Sequence, residues 1–298
     1  MDALAYDLKH LAFGSADGSY STQATRHRGL QAMARELKDL GYRLPGASSL
    51  KPKHIEALLT RWKTEGLTDG TLKNRMGWLR WWAQKVRKSA VMRPENEDYG
   101  IGQRERFNGN KAHRLDAERL GRVDDSLVRL SLQLQAAFGL RREEAIKFRV
   151  RHADRGDRIV LKPSWTKGGR YREIPLTHPR QRELLDEISA AVGDRALIPD
   201  GMSYRDQLQR YKHQTAKAGL GQGHGLRHAY AQWRYKVLTG RDCPARGGLT
   251  ADALDPAERA RDRWARETVS DELGHGRIDV TDAYLGRRFA AGARRHEG

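Results

Sequence analysis

The sequence is poor in cysteine and in long apolar runs, and each shortage excludes a class of protein. Its 298 residues contain a single cysteine, Cys243, which excludes an internal disulfide framework and a cysteine-rich zinc site. No apolar stretch approaches the ~20 residues that a membrane-spanning helix needs, and Met1 opens no secretion signal. We therefore expect a cytoplasmic protein rather than a secreted or membrane-inserted one.

Acidic residues are also in short supply. The chain has 38 Asp and Glu against 56 Lys and Arg, which gives a formal net charge of +18 and a pI near 10.2. Residues 1–110 hold 19 basic and 12 acidic residues, and residues 111–298 hold 37 and 26. Because both parts are basic and the charge is interleaved with apolar positions, we expect folded domains that each present a basic face. This surplus favours nucleic acid as the partner, although an acidic membrane surface attracts the same charge.

The first part has the periodicity of a small helical bundle. Three segments, beginning near Gln23, Pro52 and Thr71, carry apolar residues at helical spacing and end before glycine or a break in the pattern. We predict a helical DNA-binding domain over residues 1–92, with one more short helix near its start. Helical spacing favours the core over DNA contact for the tryptophans of the third segment, Trp78, Trp81 and Trp82.

A charged, glycine-containing stretch at 93–113 breaks the periodicity, and we predict it as a linker. The second domain, 114–298, begins with a helical pattern from Asp116 to Phe138 and regains helical periodicity at 182–192. Between these lie two short strand patterns, at 158–161 and 172–176, around a turn that carries Lys167. The predicted fold class is mainly α, with a small antiparallel β-sheet in the second domain.

Three short segments of the second domain hold residues suited to binding phosphate and moving protons. Gly-Leu-Arg-Arg-Glu-Glu at 139–144 places Arg141 at a helix start, where backbone N–H groups favour an anion. His-Gly-Leu-Arg-His at 224–228 puts His224 and Arg227 on one helical face. Leu-Gly-His at 273–275 precedes Tyr284, which is nine residues after His275. Each segment alone is a weak signal, and their joint order is much harder to reach by chance.

Together with Lys167 on the predicted turn, this order resembles the signature of the tyrosine recombinases, the phage-integrase family. Residues 111–290 carry the motifs, and the basic helical domain before them is similar to the family's core-binding domain. The resemblance implies a supporting acid, Glu144, and a set of catalytic residues that comprises Arg141, Lys167, His224, Arg227, His275 and the nucleophile Tyr284.

The reaction implied by the resemblance is DNA cleavage and rejoining through a covalent 3′-phosphotyrosine. A phosphodiester gains negative charge in its transition state, and the paired donors of two arginines suit its oxygens. A phenol, with a pKa near 10, needs alignment and a base, which we expect His224 to supply. Lys167 would protonate the leaving 5′ oxygen, and His275 would hydrogen-bond the phosphate or brace the site.

No cofactor or metal is implied by these residues. We attribute His224, His228 and His275 to phosphate binding and packing, because their spacing offers no further zinc ligands. The sequence contains no P-loop, in keeping with a transfer that conserves bond energy and needs no ATP.

The resemblance also implies partners. These are double-stranded DNA with specific recombination sites, clamped between the two basic domains, and three further copies of the chain in a synaptic tetramer. Without DNA the chain would be a monomer or weakly associated. Accessory DNA-bending or directionality proteins are further candidates. The expected role is integration or excision of a mobile element at the nucleoid of a bacterial cytoplasm.

The chain departs from the family pattern in three places. The 48-residue spacing between Arg227 and His275 predicts an insertion near 238–263, either a DNA or subunit contact or a plain surface addition. The 14 residues after Tyr284 leave open whether the tail docks on a neighbouring subunit. We also expect no separate arm-binding domain.

Spacing favours one choice at each of two ambiguous places in the motifs. Arg142 and His228 adjoin proposed catalytic residues, but the Gly-Leu-Arg pattern favours Arg141, which lies three residues before Glu144. Other tyrosines of the second domain follow the His-x-x-Arg segment on a helix and are expected in the core; these are Tyr230 and Tyr235.

Three other functions stay open. A non-catalytic DNA-binding protein of the same fold is disfavoured because all six catalytic positions keep suitable chemistry. A type IB topoisomerase-like enzyme, which relaxes DNA, fits the size and the Leu-Gly-His spacing less well. A metal-dependent nuclease would lose its activity in chelator.

Overall fold

The structure, a computed structural model, describes residues 2–102, 107–221 and 223–290. The chain divides into two compact units between residues 105 and 106. Within the described ranges, no helix combines the length and apolar character needed to cross a membrane.

The described residues of the first unit contain four α-helices. They are α1 (Ala3–Phe13), α2 (Tyr20–Asp39), α3 (Pro52–Thr64) and α4 (Asp69–Lys85). Ser19 and Thr68 begin α2 and α4, because each side chain accepts the backbone N–H of the residue three positions on. The three helices predicted from periodicity are therefore present, and α1 is the additional short one.

The tryptophans of α4 belong to the core of the first unit, as predicted. Trp82 is fully buried, and its indole N–H donates to the carbonyl of Ala47 at 2.9 Å. Trp81 is nearly buried and donates to Asp17 Oδ2 at 2.7 Å, and Trp78 packs against the same cluster. Each buried indole N–H thus has an acceptor, which removes the main cost of placing tryptophan in a core.

The second unit contains nine helices in its described residues and one small sheet. The helices before the sheet are α5 (Ala117–Gly121), α6 (Ser126–Phe138), α7 (Arg142–Ile146) and α8 (Val150–Ala153). Strands β1 (Arg158–Leu161) and β2 (Arg172–Pro175) pair antiparallel, with Ile159 opposite Ile174. After the sheet follow α9 (Pro179–Val192), α10 (Tyr204–Lys217), α11 (His224–Thr239), α12 (Pro256–Glu272) and α13 (Ile278–Leu285). The predicted fold class, mainly α with a small antiparallel sheet, is confirmed.

Three details differ from the sequence-based expectations. The helix predicted over 116–138 is two helices, because the chain turns at 122–125 and Asp125 begins α6 by accepting the N–H of Val128 at 2.9 Å. Helix α10 was not predicted at all. The predicted linker at 93–113 is folded at both ends: Tyr99 is buried in the first core, and Asn110 accepts a hydrogen bond from Gln232 of α11. Residues 103–106 of that segment lie outside the described residues.

The segment 238–263, which the sequence suggests as an insertion, contains the last two residues of α11, a loop and the first half of α12. The loop joins α11 to α12, while Ala265 and Val269 of α12 are fully buried in the main core. The loop, residues 240–255, is exposed or partly exposed except for Cys243, Ala251 and Leu254, which are buried.

Candidate active site

The candidate catalytic residues come from the ends of four elements that meet in the core of the second unit. Arg141 immediately precedes α7, and His224 and Arg227 lie in the first turn of α11. His275 follows α12, and Tyr284 lies near the end of α13. The turn between α6 and α7 is tight at Gly139, where an added Cβ would lie 2.5 Å from the ring of Tyr230. These elements are packed in one hydrophobic cluster, so the segments that were far apart in sequence are brought together.

Glu144 is the centre of a buried arginine network. Its carboxylate accepts hydrogen bonds from the backbone N–H of Arg141 at 2.6 Å and from Arg141 Nη1 at 2.7 Å. It also accepts both terminal nitrogens of Arg172, at 3.1 and 2.8 Å. Burial raises the pKa of Glu144, but the charges of Arg172, Arg141 and Arg227 hold it below its ordinary value. Glu144 is therefore an anion that fixes two guanidinium groups.

Arg172 is a member of the site that the sequence analysis missed. Only 2% of its surface is exposed, and it also donates to the carbonyl of Leu273 at 3.2 Å, directly before the Gly-His turn. Burial lowers its pKa, against the effect of the Glu144 charge. The available signal was its place on the inward-facing side of β2, where the alternating pattern puts Ile174.

Arg227 is fixed by backbone carbonyls. Its guanidinium donates to the carbonyls of Gly139 and Leu273, and its Nη2 lies 3.2 Å from His275 Nε2. The side chain is 1% exposed, and burial, with the neighbouring charges of Arg172 and Arg141, lowers its pKa to about 10. Arg227 is therefore still a cation at neutral pH, held in one orientation.

The phenol of Tyr284 is surrounded by histidine rings. Its hydroxyl lies 3.5 Å from His224 Nε2. His228 stacks on the tyrosine ring at a centroid distance of 4.3 Å, and His275 lies at 4.9 Å. The backbone carbonyl of Tyr284 accepts Gln232 Nε2 at 3.0 Å, which fixes this turn of α13 to α11.

The histidines around Tyr284 are uncharged at neutral pH. Burial, followed by the charge of Arg227, lowers the pKa of His275 to about 2. Burial and the neighbouring His224 lower the pKa of His228 to about 4. Partial burial, then Arg227 and Arg141, also lowers the pKa of His224. A neutral imidazole can accept a proton, so His224 is in the state that a general base requires.

Lys167 lies on the connection between β1 and β2, exposed to solvent. No described contact joins it to another candidate residue. The connection itself is attached to the site, because Arg170 Nη1 donates to the carbonyl of His275 at 2.6 Å. Lys167 is thus placed three residues from a direct link to the site, on the segment predicted to carry it.

The alternative tyrosines have structural partners in the core. Tyr230 donates to Glu272 Oε2 at 2.8 Å, and Tyr235 donates to Asp262 Oδ1 at 2.6 Å. No cluster of three metal-ligating side chains occurs among the residues described. The arrangement that remains is a phenol and a neutral imidazole beside two fixed arginines, which suits transfer of a phosphoryl group to the phenol oxygen.

Two family models match the sequence. One, described as the N-terminal domain of phage integrases, matches residues 1–91, and the other, described as integrase, matches residues 107–233. No curated protein matches the chain by sequence.

Solved structures with the same fold are numerous. A lambda integrase fragment (75–356), determined as a dimer on a COC′ core site, has a TM-score of 0.61 and 15% identity, with 97% of each chain covered. The Tn1549 transposon integrase (82–397) with circular-intermediate DNA has a TM-score of 0.55 and 14% identity, again over 97% of each chain. The XerH site-specific recombinase on its difH substrate has a TM-score of 0.54 and 17% identity, over 94% of this chain and 80% of that one. At these identities the likeness concerns the fold.

Proposed function

Because the chain belongs to the phage-integrase family of tyrosine recombinases, enzymes that cleave and rejoin DNA at specific sites, we propose that Tyr284 is the nucleophile of this reaction. The observation that carries the proposal is the 3.5 Å approach of the Tyr284 hydroxyl to His224 Nε2, in a pocket that also holds Arg141, Arg227 and His275. Each of these residues comes from a motif that the sequence alone singled out.

The arginines bind the scissile phosphate in this proposal. Arg141 is half-buried and turned toward the site by Glu144, so part of its guanidinium stays open to a ligand. Arg227 supplies a second fixed positive charge. Their combined field favours the additional negative charge that develops on the phosphate oxygens in the transition state. His275 adds a polar contact beside Arg227, since its Nε2 lies 3.2 Å from Arg227 Nη2.

The chemical step forms one bond and breaks one. The Tyr284 oxygen attacks phosphorus while His224 accepts the phenol proton, and the bond from phosphorus to the 5′ oxygen breaks. Lys167 gives a proton to that 5′ oxygen, leaving a 3′-phosphotyrosine and a free 5′-hydroxyl. Attack by a 5′-hydroxyl from a second duplex reverses the step, so the strands are rejoined without ATP.

The partners follow from the family. Lambda integrase has been determined as a tetramer on a Holliday junction, and we propose that this chain also acts as a tetramer on two DNA sites. Integration or excision of a mobile element is the proposed role, since relatives of this fold include phage and transposon integrases. Accessory DNA-bending proteins are a further proposed partner.

The direct test is covalent capture of DNA. Purified protein is incubated in chelator with nicked duplexes built from the DNA that flanks its gene, and the products are separated on a denaturing gel. We expect a protein–DNA adduct that is absent with Tyr284→Phe, because the variant keeps the ring and lacks the attacking oxygen. Binding of the same duplex, measured by mobility shift, should be unchanged.

Other outcomes separate the alternatives. An adduct that persists in Tyr284→Phe moves the nucleophile to another residue. Binding without any adduct favours a non-catalytic DNA-binding protein, and strand cleavage that stops in chelator favours a metal-dependent nuclease. Relaxation of supercoiled DNA by a monomer favours the topoisomerase alternative.

A further inference from the structure

The chain that follows the nucleophile helix is held by the loop at 240–255 of the same molecule. The backbone N–H of Ala251 donates to the carbonyl of Arg288 at 2.8 Å. The N–H of Ala290 donates to Asp252 Oδ1 at 3.1 Å. These two bonds join the loop to residues 288–290, directly after α13.

The two segments also meet at close range at Gly286. An added Cβ there would lie 2.5 Å from the backbone N of Ala245 and 3.0 Å from atoms of Pro244. Its φ is +87°, a region that glycine tolerates better than other residues. The carbonyl of Gly286 in turn accepts Arg266 Nη1 at 3.1 Å. Only a residue without a side chain fits between the loop and the helix end.

A buried ionic cluster lies beneath this contact. Arg266, 1% exposed, donates through Nε to both oxygens of Asp262 and through Nη1 to Asp282 Oδ1 at 2.9 Å. Arg288 Nε lies 3.6 Å from Asp262 Oδ2. Asp282 is two residues before Tyr284, so this cluster attaches the nucleophile helix to α12. Breaking such a buried pair leaves a charge without its partner, which is strongly unfavourable.

We propose that the loop at 240–255 is a clamp that positions the nucleophile: it holds residues 286–290 in the same molecule and thereby keeps Tyr284 in its own active site. This inference rests on the proposed role of Tyr284. In this proposal Ala251 and Asp252 of the loop are positioning residues, and Asp262 of α12 supports the same segment through Arg266 and Arg288. The clamp stays closed during cleavage.

A reversible cross-link tests whether the closed clamp is the working state. Asp252 and Ala290 are both exposed, and the backbone N–H of Ala290 donates to Asp252 Oδ1 at 3.1 Å, so Asp252→Cys/Ala290→Cys puts one accessible thiol on each side of this contact. The natural Cys243 is fully buried, and burial raises the pKa of its thiol to about 11, which keeps it out of the exchange. The double variant is oxidised, and adduct formation on the nicked duplex is compared before and after reduction.

We expect a disulfide within single chains, and adduct formation in the oxidised protein at least as fast as in the reduced protein, which lacks the Asp252 hydrogen bond. A cross-link that joins two chains, or an oxidised protein that cleaves only after reduction, would overturn the clamp. Failure of the proposed function is distinguishable, because it appears as an adduct that survives in Tyr284→Phe.

Two glycines with nearly the same φ distinguish a positioning effect on Tyr284 from the backbone strain that any side chain at such a φ would cause. Gly156 has a φ of +86° and open space around its Cα, whereas Gly286 has nearly the same φ and no room. Gly286→Ala should slow adduct formation by about tenfold or more relative to Gly156→Ala, with DNA binding unchanged in both. Equal rates in the two variants would contradict the proposal.

Discussion

The two units of this protein are both basic, but they place their charges differently. Among the described residues of the first unit, the buried side chains of the acidic, basic and histidine types are Arg26 and His54. The second unit buries a much larger set, which consists of Glu144, Arg172, Arg227, His228, Arg234, Asp262, Arg266, Glu272 and Arg288. Moving a charge out of water is unfavourable unless it is paired and hydrogen-bonded. The larger set of buried charges therefore lies in the unit that contains the candidate active site.

Most of the buried charges of the second unit form ion pairs with one another. Glu272 receives Arg234 Nε at 2.8 Å, and Asp262 receives Arg266. The core of the first unit is stabilised by apolar packing instead. Trp62 and Trp82 fill it, and each indole N–H needs only one hydrogen-bond acceptor. A core stabilised by apolar packing tolerates the loss of one hydrogen bond better than a core stabilised by buried ion pairs.

The largest loss of stability is expected when the buried carboxylate of Glu144 is removed. Glu144→Gln leaves Arg141 and Arg172 without their shared carboxylate, and we expect a loss of about 3 kcal/mol in unfolding free energy, together with loss of adduct formation. The matched variant is Glu36→Gln in the first unit, where Glu36 accepts Arg75 at 2.9 Å and the Trp62 indole at 2.7 Å but stays partly exposed. Its expected cost is about 1 kcal/mol. Urea unfolding measures both, and equal losses would remove the distinction between the units.

A smaller loss of stability is expected when residue 172 keeps its positive charge but loses the planar guanidinium. Arg172→Lys retains a cation but loses the two parallel hydrogen bonds to Glu144 and the contact with the Leu273 carbonyl. We expect a loss of about 2 kcal/mol in stability and slower adduct formation at unchanged DNA affinity, because Arg141 is then less firmly oriented. Full activity in the lysine variant would show that Glu144 needs only a nearby positive charge.

How much the sequence could predict depends on what occupies the buried positions. The motifs around Arg141, Arg227 and Tyr284 are local, and the helices of the first unit carry apolar residues at their buried positions. Helix α10 escaped prediction because its buried positions are polar or amphipathic, at Gln207, Tyr211 and Thr215.

Helix α12 and Arg172 also have polar side chains at buried positions, where apolar periodicity gives no signal. The buried face of α12 includes Asp262, Arg266 and Ser270, which in a sequence look like a solvated surface. Arg172 is one arginine among many until β2 is paired with β1 and its inward face is known. Where a core is built from paired charges, apolar periodicity carries no signal, and only the tertiary structure identifies the partners.

Acid should destabilise the second unit through its buried histidines. The pKa of His228 is lowered to about 4 by burial, below the ordinary value near 6.5, so the unfolded chain binds the extra proton first. Stability is therefore complete above pH 6.5 and falls as the pH drops from about 6.5 toward 4. His228→Phe, which keeps a ring against Tyr284, should lose less stability in this interval. Hydrogen exchange at pH 7 and pH 5, read separately for the two units, checks the prediction, and an equal acid response in wild type and variant would contradict it.

The smallest change in stability is expected when exposed ion pairs are removed, and this change should be the same in both units. Arg61 of α3 pairs with Glu65, the residue directly after that helix, and Arg263 pairs with Glu267 on α12; the two residues of each pair are four positions apart and at least partly exposed. Such pairs contribute little, because water screens them and two long side chains must be ordered. Glu65→Gln and Glu267→Gln should each leave the urea midpoint almost unchanged. A lowered urea midpoint in Glu267→Gln alone would mean that the stability of the second unit depends on its exposed charges as well as its buried ones. The contrast between the units would then lie in their overall charge composition and not in their cores.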